Sequence, residues 1–249
     1  MKLSKVSLCA AVALGAMTIA NAAAAQVAFN AGIATSYTFR GVRQTVDSHN
    51  NSTVEAFGGI DWSGGPNLYA GAWISNTGHS NSNGIETDFY GGWKPKAGPV
   101  TFDLGVIYYT YNNSNDGFVT NDLNTLEWKA GASMAAGPAV VGAAVYFSDD
   151  YISSGDSSTY WEINGSIPVK KDVVLSGAIG SLKAKVFKSC GFSCSNTDSY
   201  MTWNLGVTVP ITDKVSLDAR YIGTDKDATK IWGNFAADDQ LIGTIKATF

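Results

Sequence analysis

Residues 240–249 read "QLIGTIKATF". Counted back from Phe249, alternate positions are Phe249, Ala247, Ile245, Gly243 and Leu241. The intervening set is Thr248, Lys246, Thr244 and Ile242. One face is apolar and ends on an aromatic ring; the other is mostly polar with one charge. That is the period of a strand with one greasy side. Terminal residues of a soluble domain usually fray. A terminal strand of this kind is instead expected to be paired, with Phe249 in place.

The same period runs through the chain. "TVEAFGGIDW" sets Val54, Ala56, Ile60 and Trp62 against Glu55 and Asp61. "IETDFYGGWK" sets Ile85, Phe89 and Trp93 against Glu86, Asp88 and Lys94. "TLEWKAGASM" sets Leu126, Trp128, Ala130 and Met134 against Glu127, Lys129 and Ser133. "YWEINGSIPV" and "VSLDARYIG" repeat it, with Glu162, Asp218 and Arg220 on the polar side. "VAFNAGIATSYTF" extends the apolar face from Val27 through Tyr37 and Phe39. "LYAGAWISNT" is ambiguous, because both of its faces carry an aromatic and an apolar residue.

Connections alternate in length. Short ones at 63–67, 95–99, 135–139, 169–172 and 212–214 carry Gly, Pro and Asp, the residues of tight turns. Longer polar stretches lie at 41–52, 78–84, 112–122, 149–157, 184–198 and 225–236, with the Asn, Ser, Asp and Gly of surface loops. About twelve strands, five turns and six loops follow. Alternating strands with short turns at one end and long loops at the other are the pattern of an all-β, closed antiparallel transmembrane β-barrel. Its short turns would be periplasmic and its long loops extracellular. In lipid every backbone N–H and C=O must pair internally, so the sheet has to close. A secreted β-sandwich also alternates. It does not explain the loop asymmetry, nor the aromatics clustered at strand ends: Tyr37, Phe39, Trp62, Trp93, Tyr108 to Tyr111 and Trp161.

Outside the barrel, "MKLSKVSLCAAVALGAMTIANAAAAQ" carries Lys2 and Lys5, an apolar stretch from Val6 to Ala20 and small residues at 23–25. It reads as a cleaved secretory signal over 1–25, with one barrel domain over 26–249. Without Lys2 and Lys5, the 17 basic residues fall to 15 against 21 acidic, a net charge of −6. That argues against nucleic acid as a partner. Export makes an oxidising setting, and Cys190 and Cys194 in "KSCGFSCSN" are close enough to form a loop disulfide. A metal site would need further ligands that the neighbouring sequence lacks, and a redox pair more often reads C-x-x-C.

At "SYTFRGVRQT" (36–45) the sequence resembles the TorF porin family of Gram-negative outer membranes, through Tyr37, Phe39, Arg40, Gly41, Gln44 and Thr45. "LYAGAWISN" (68–76), "IETDFYGGWK" (85–94) and "FDLGVIYYTY" (102–111) match as well; the second half matches mainly in architecture. The resemblance implies an outer-membrane pore. By similarity to outer-membrane proteins generally, Phe249 would be the signal read by the barrel-assembly machinery.

If apolar faces meet lipid, the polar faces line a lumen. That set is Arg40, Glu55, Asp61, Glu86, Asp88, Lys94, Asp103, Glu127, Lys129, Glu162, Asp218, Arg220 and Lys246. Its acidic excess predicts a weak preference for cations among small polar solutes. Glu86 and Asp88 are expected to group with Asp61 and Asp103, and Arg40 to project inward at the loop-side rim, where it would narrow the passage or pair with a carboxylate. Interior ion pairs in a plugged barrel, serving structure or surface recognition, are the rival reading. An enzyme would need a nucleophile with a His beside it. His49 and His79, the two histidines, sit in loop sequence away from the strand faces. No cofactor, metal or catalytic set is expected. Outer-membrane lipid is the surrounding partner, and the oligomeric state stays open, a homo-oligomer included.

Overall fold

The computed structural model describes residues 25–45, 52–78, 84–112, 123–170, 172–190 and 192–249. The expected signal segment, apart from Ala25, and both histidines lie outside them. Twelve long strands are joined as neighbours: β1 (Gln26–Ala34), β2 (Glu55–Gly64), β3 (Leu68–Thr77), β4 (Gly84–Trp93), β5 (Val100–Asn112) and β6 (Thr125–Ala136). Then follow β7 (Ala139–Ser148), β8 (Ser158–Lys170), β9 (Val173–Ala184), β10 (Ser199–Pro210), β11 (Val215–Thr224) and β12 (Gln240–Thr248). Each pairs antiparallel with the next, and β12 returns to β1. The barrel is closed, as the alternation predicts, and the short turns between Gly64 and Leu68, Ala136 and Ala139, and Pro210 and Val215 fall where the sequence places them.

The seam depends on the last residue. Register pairs Asn30 with Thr248 and Ile33 with Ile245. Beyond Thr248, the Phe249 N–H donates to the Phe29 carbonyl at 2.9 Å, and the Phe29 N–H donates back at 3.1 Å. Closure gives both edge strands partners, so no open edge faces lipid. Leu241, Ile245 and Phe249 point outward, 50–76% exposed, and belong to a belt with Phe29, Ile60, Phe89, Trp128, Ile163 and Leu205. Among the described residues no helix is long and apolar enough to cross a membrane.

The interior departs from the expected pattern in two places. β1 stops at Ala34, and Tyr37 and Phe39 turn into the barrel instead of extending the outer face. A short hairpin, Thr38–Phe39 against Val42–Arg43, follows. Its tip is Arg40-Gly41, both with positive φ, 48° and 84°. Two such residues are the requirement of the tight type I′ turn. Gly41 also lies against the wall: a Cβ there would meet the Thr202 hydroxyl at 2.4 Å. Tyr109 likewise faces inward while Tyr108 faces out, so the expected girdle from 108 to 111 is split between the two faces. Strand β3 resolves the same way, with Tyr69 and Trp73 inside.

The second departure is an apolar cap at the long-loop end. Val42 of the hairpin, Tyr151 of a 3₁₀ turn and Val186 and Phe187 of another pack with Leu182, Tyr160 and Tyr200 of the wall. Helices α1 (Lys226–Trp232) and α2 (Asn234–Ala237) add Ala228, Ile231 and Ala237. Leu182 and Phe187 are fully buried. Asp225 caps α1 by accepting the N–H groups of Asp227 and Ala228, a standard N-cap. Hence the loop-side interior from β8 to β11 is not a polar wall but a small core.

Deleting Phe249 removes both seam bonds at the rim beside the 212–214 turn, outside the hydrocarbon, at about 1 kcal/mol each. The expected result is a fall of about 2 kcal/mol in urea-unfolding stability of the refolded barrel. Phe249→Ala keeps both bonds and should lose less; an equal loss would mean that the ring, not the seam, holds the end.

Candidate functional site

The inward face of the barrel carries the candidate site, and its charges sit in separate groups. Nearest the long loops is a buried acidic layer: Glu55 on β2, Glu86 and Asp88 on β4, and Glu127 on β6. Arg40 reaches it from the hairpin tip. Its two terminal nitrogens donate to the two Glu127 oxygens at 2.8 and 2.6 Å. The Tyr109 hydroxyl donates to Glu127 at 3.2 Å, and the Tyr200 hydroxyl donates to the Arg40 carbonyl at 3.1 Å. The guanidinium carbon lies 4.6, 5.3 and 4.3 Å from the ring centres of Phe39, Tyr146 and Tyr160. Burial works against the charge on Arg40. The adjacent Glu127 carboxylate more than reverses this and holds the group well above its ordinary range. A planar fork on a carboxylate, stacked on rings, is the arrangement arginine suits and lysine does not.

The remaining carboxylates of this layer have weaker company. Glu55 accepts from the Ser75 hydroxyl at 3.3 Å. Glu86 accepts from the Tyr37 hydroxyl at 2.6 Å, and Tyr37 leans on Trp73, ring centres 5.4 Å apart. Asp88 is 2% exposed, and its Oδ1 has no hydrogen-bond partner among the described residues. Four buried carboxylates thus face one guanidinium.

Asp61 and Asp103, expected beside Glu86 and Asp88, lie nearer the short turns with partners of their own. Register puts Asp61 opposite Gly71, and Gly71 opposite Tyr90, two positions beyond Asp88 and four beyond Glu86. Asp61 accepts from Asn30 and from the Tyr90 hydroxyl. Asp103 takes Lys129 at 2.7 Å, Lys94 at 3.8 Å and the Tyr69 hydroxyl at 2.7 Å. On the opposite wall Asp218 and Arg220 pair at 3.1 Å, and Arg220 also donates to Asn204 and the Ser176 hydroxyl. Gly206 leaves room for that guanidinium: a Cβ would stand 2.7 Å from its carbon. Glu162 accepts from Tyr160 and Asn164, both at 2.9 Å. Lys246 faces inward, half-buried, and makes no ion pair among the described residues.

Burial is not uniform along the axis: Glu86, Asp88, Tyr109 and Glu127 at the loop side are buried, and so are Lys94, Thr208 and Asp218 near the short turns, whereas Asp61, Asp103 and Glu162 are half-buried and Asn164 is exposed. Cys190 and Cys194 are bridged in the 185–198 loop, whose Phe187 and Phe192 pack on Trp232. No group of three or more His, Cys, Asp or Glu suited to a metal occurs among the described residues.

Sequence reasoning missed Arg43 and Gln240. The Arg43 Nε and the Thr38 hydroxyl both donate to the Gln240 side-chain oxygen at 3.1 Å, and Arg43 Nη1 donates to the Phe235 carbonyl at 2.6 Å. They tie the hairpin to β12 and α2. The signal available was a second arginine three residues after the first, across a Gly turn.

Removing one member of a buried pair leaves the other charge uncompensated and costs about 3–5 kcal/mol. Glu127→Ala should lose that much in urea unfolding, and Arg40→Ala with Glu127→Ala together should lose less than the sum of the single changes. Additive losses would mean that the pair is not coupled.

Comparison with known proteins gives the fold company. Over 90% of this chain and 93% of the other, it is similar at 11% identity and a TM-score of 0.50 to an outer-membrane channel of Pseudomonas putida F1. Over 91% of this chain and 99% of the other, it is similar at 7% identity and a TM-score of 0.57 to the KdgM porin. At these identities the likeness is one of fold. No curated protein sequence matches significantly. The family model that matches does not carry the TorF name suggested by the motifs at 36–111. That model matches residues 19–249 and is described as a bacterial protein of unknown function (Gcw_chp), and the chain belongs to that family.

Proposed function

We propose that this porin-like barrel is an outer-membrane channel for passive diffusion of small polar solutes or ions, with a weak preference for cations. The observation that carries this reading is the inward face itself. Charged groups occur along its depth, with carboxylates in excess, and Asp61, Asp103 and Glu162 among them are half-buried rather than sealed. A twelve-strand barrel encloses more space than an eight-strand one, whose side chains fill it. Carboxylates along a narrow wall favour cations. The short turns would face the periplasm and the long loops the exterior, after export by the segment 1–25. Phe249 would be recognised by the assembly machinery before it joins the seam. The function is transport rather than catalysis.

One observation favours a second reading. The cap around Phe187 and the inward hairpin fill the loop side, as a plugged recognition barrel would require. The two readings differ in conductance. The refolded mature chain in a planar bilayer under a potassium chloride gradient should give discrete steps, with a reversal potential of the cation-selective sign. A demonstrably folded barrel without steps would favour the plug, and an anion-selective sign would overturn the role of the acidic layer. Reductant applied to the same channel tests the 185–198 loop. Opening the Cys190–Cys194 bridge should change the open probability if that loop holds the cap, and an unchanged trace would remove it from gating.

A further inference from the structure

The seat that holds Arg40 is built by the barrel, not by the loop. Glu127 stands on β6, Tyr109 on β5, Tyr146 on β7 and Tyr160 on β8. If the hairpin withdrew, these groups would stay where the sheet puts them. They would then present a buried carboxylate whose two oxygens are spaced for two parallel N–H donors, beside two phenol rings. The neighbouring layer makes the vacancy costly. Glu55, Glu86 and Asp88 are buried nearby, and Asp88 Oδ1 and Glu86 Oε2 have no hydrogen-bond partner among the described residues even with Arg40 in place. A buried carboxylate without a counter-charge is strongly disfavoured and recruits a cation or a proton.

The chemistry of the seat selects among cations. Aromatic faces attract soft organic cations such as guanidinium and quaternary or alkyl ammonium groups. A two-oxygen acceptor favours the planar fork of a guanidinium over a point charge. A metal ion would need several converging oxygen ligands, and the described residues form no such group. The resident is also held in an unfavourable backbone state. Arg40 has a φ of 48°, which a residue with a side chain adopts at a cost, of order 1 kcal/mol. A free cation pays no such cost.

We propose that the Glu127 seat is a binding site for a diffusible organic cation of the guanidinium class, with Arg40 as its tethered resident, and that exchange between the two releases the Thr38–Arg43 hairpin. The release half of this inference rests on the channel reading; the binding half does not. Arg40 would compete with the free cation as an intramolecular ligand at high effective concentration.

The test uses the full mature chain in detergent, with methylguanidinium chloride as probe and sodium chloride at equal concentration as control. Arg40→Ala should bind methylguanidinium by calorimetry, and wild type should bind at least about tenfold more weakly, because its own arginine fills the seat. Arg40→Ala combined with Glu127→Gln should not bind. Equal binding by wild type and Arg40→Ala, undiminished binding by the double variant, or an equal response to sodium would each overturn the site. If Arg40→Ala folds poorly alone, recovery of folded barrel on refolding with methylguanidinium, and not with sodium, is the same positive result. Failure of the probe to restore it overturns the proposal. In bilayers, methylguanidinium should bring wild type to the larger steps that Arg40→Ala shows without it, and sodium should not; wild-type steps unchanged by the probe would overturn the release. Binding in detergent with a silent bilayer would overturn the channel reading and leave the site standing.

Discussion

Everything in this fold follows from the absence of water around the backbone of its outer wall. A strand in hydrocarbon must give every N–H and C=O a partner, and each failure costs several kcal/mol. The reciprocal bonds between Phe29 and Phe249 are where that condition is met last, because they join the first and last strands. The constraint also fixes which side chains may point where. Once the sheet is closed, a one-residue slip would turn the whole apolar set inward. Ile33 opposite Ile245 and Val215 opposite Ala247 are therefore as much a statement about lipid as about hydrogen bonds.

Closure moves the problem of polar groups to the inside. There the barrel uses tyrosines as often as charges. Tyr69, Tyr90, Tyr37 and Tyr109 each give a hydroxyl to a carboxylate, on Asp103, Asp61, Glu86 and Glu127. A long phenol spans a wide lumen, where a serine would fall short. This supply of donors lets acidic residues outnumber basic ones inside without every carboxylate having its own cation. Asp88, whose Oδ1 has no partner among the described residues, is the exception, and it sits in the one layer where the counter-charge comes from a loop.

The strands, turns and loops were legible because each depends on a local signal: alternation, a Gly or Pro turn, a run of Asn and Ser. The inward set on β2, β4 and β6 was legible for the same reason. Three things were not. The inward turn of residues 35–45 was hidden because Tyr37 and Phe39 continue the alternation of β1; only the Arg40-Gly41 turn breaks it. The grouping of carboxylates was hidden because it depends on register between strands, and two residues along a strand separate Tyr90 and its partner Asp61 from Asp88. The cap was hidden because Tyr151, Phe187 and Ile231 come from three loops with no shared period. Arg40 itself was readable as an inward rim residue, but the identity of its carboxylate required three-dimensional placement.

Wall and plug are held by different forces, and this makes them separable. The wall is held by a closed ladder of backbone bonds, to which an ion pair between neighbouring strands, Lys129 with Asp103, adds from inside. The plug is held by a guanidinium on one carboxylate, by Arg43 on Gln240 and Phe235, and by a modest apolar cluster around Phe187. Ion pairs respond to competing ions, whereas a hydrogen-bonded sheet in lipid does not. A rearrangement of the hairpin would break these contacts and leave the backbone ladder closed. The strain at Arg40 and the surplus of carboxylates behind it bear on that rearrangement alone. One lowers the barrier to leaving, and the other keeps a cation, tethered or free, in the seat.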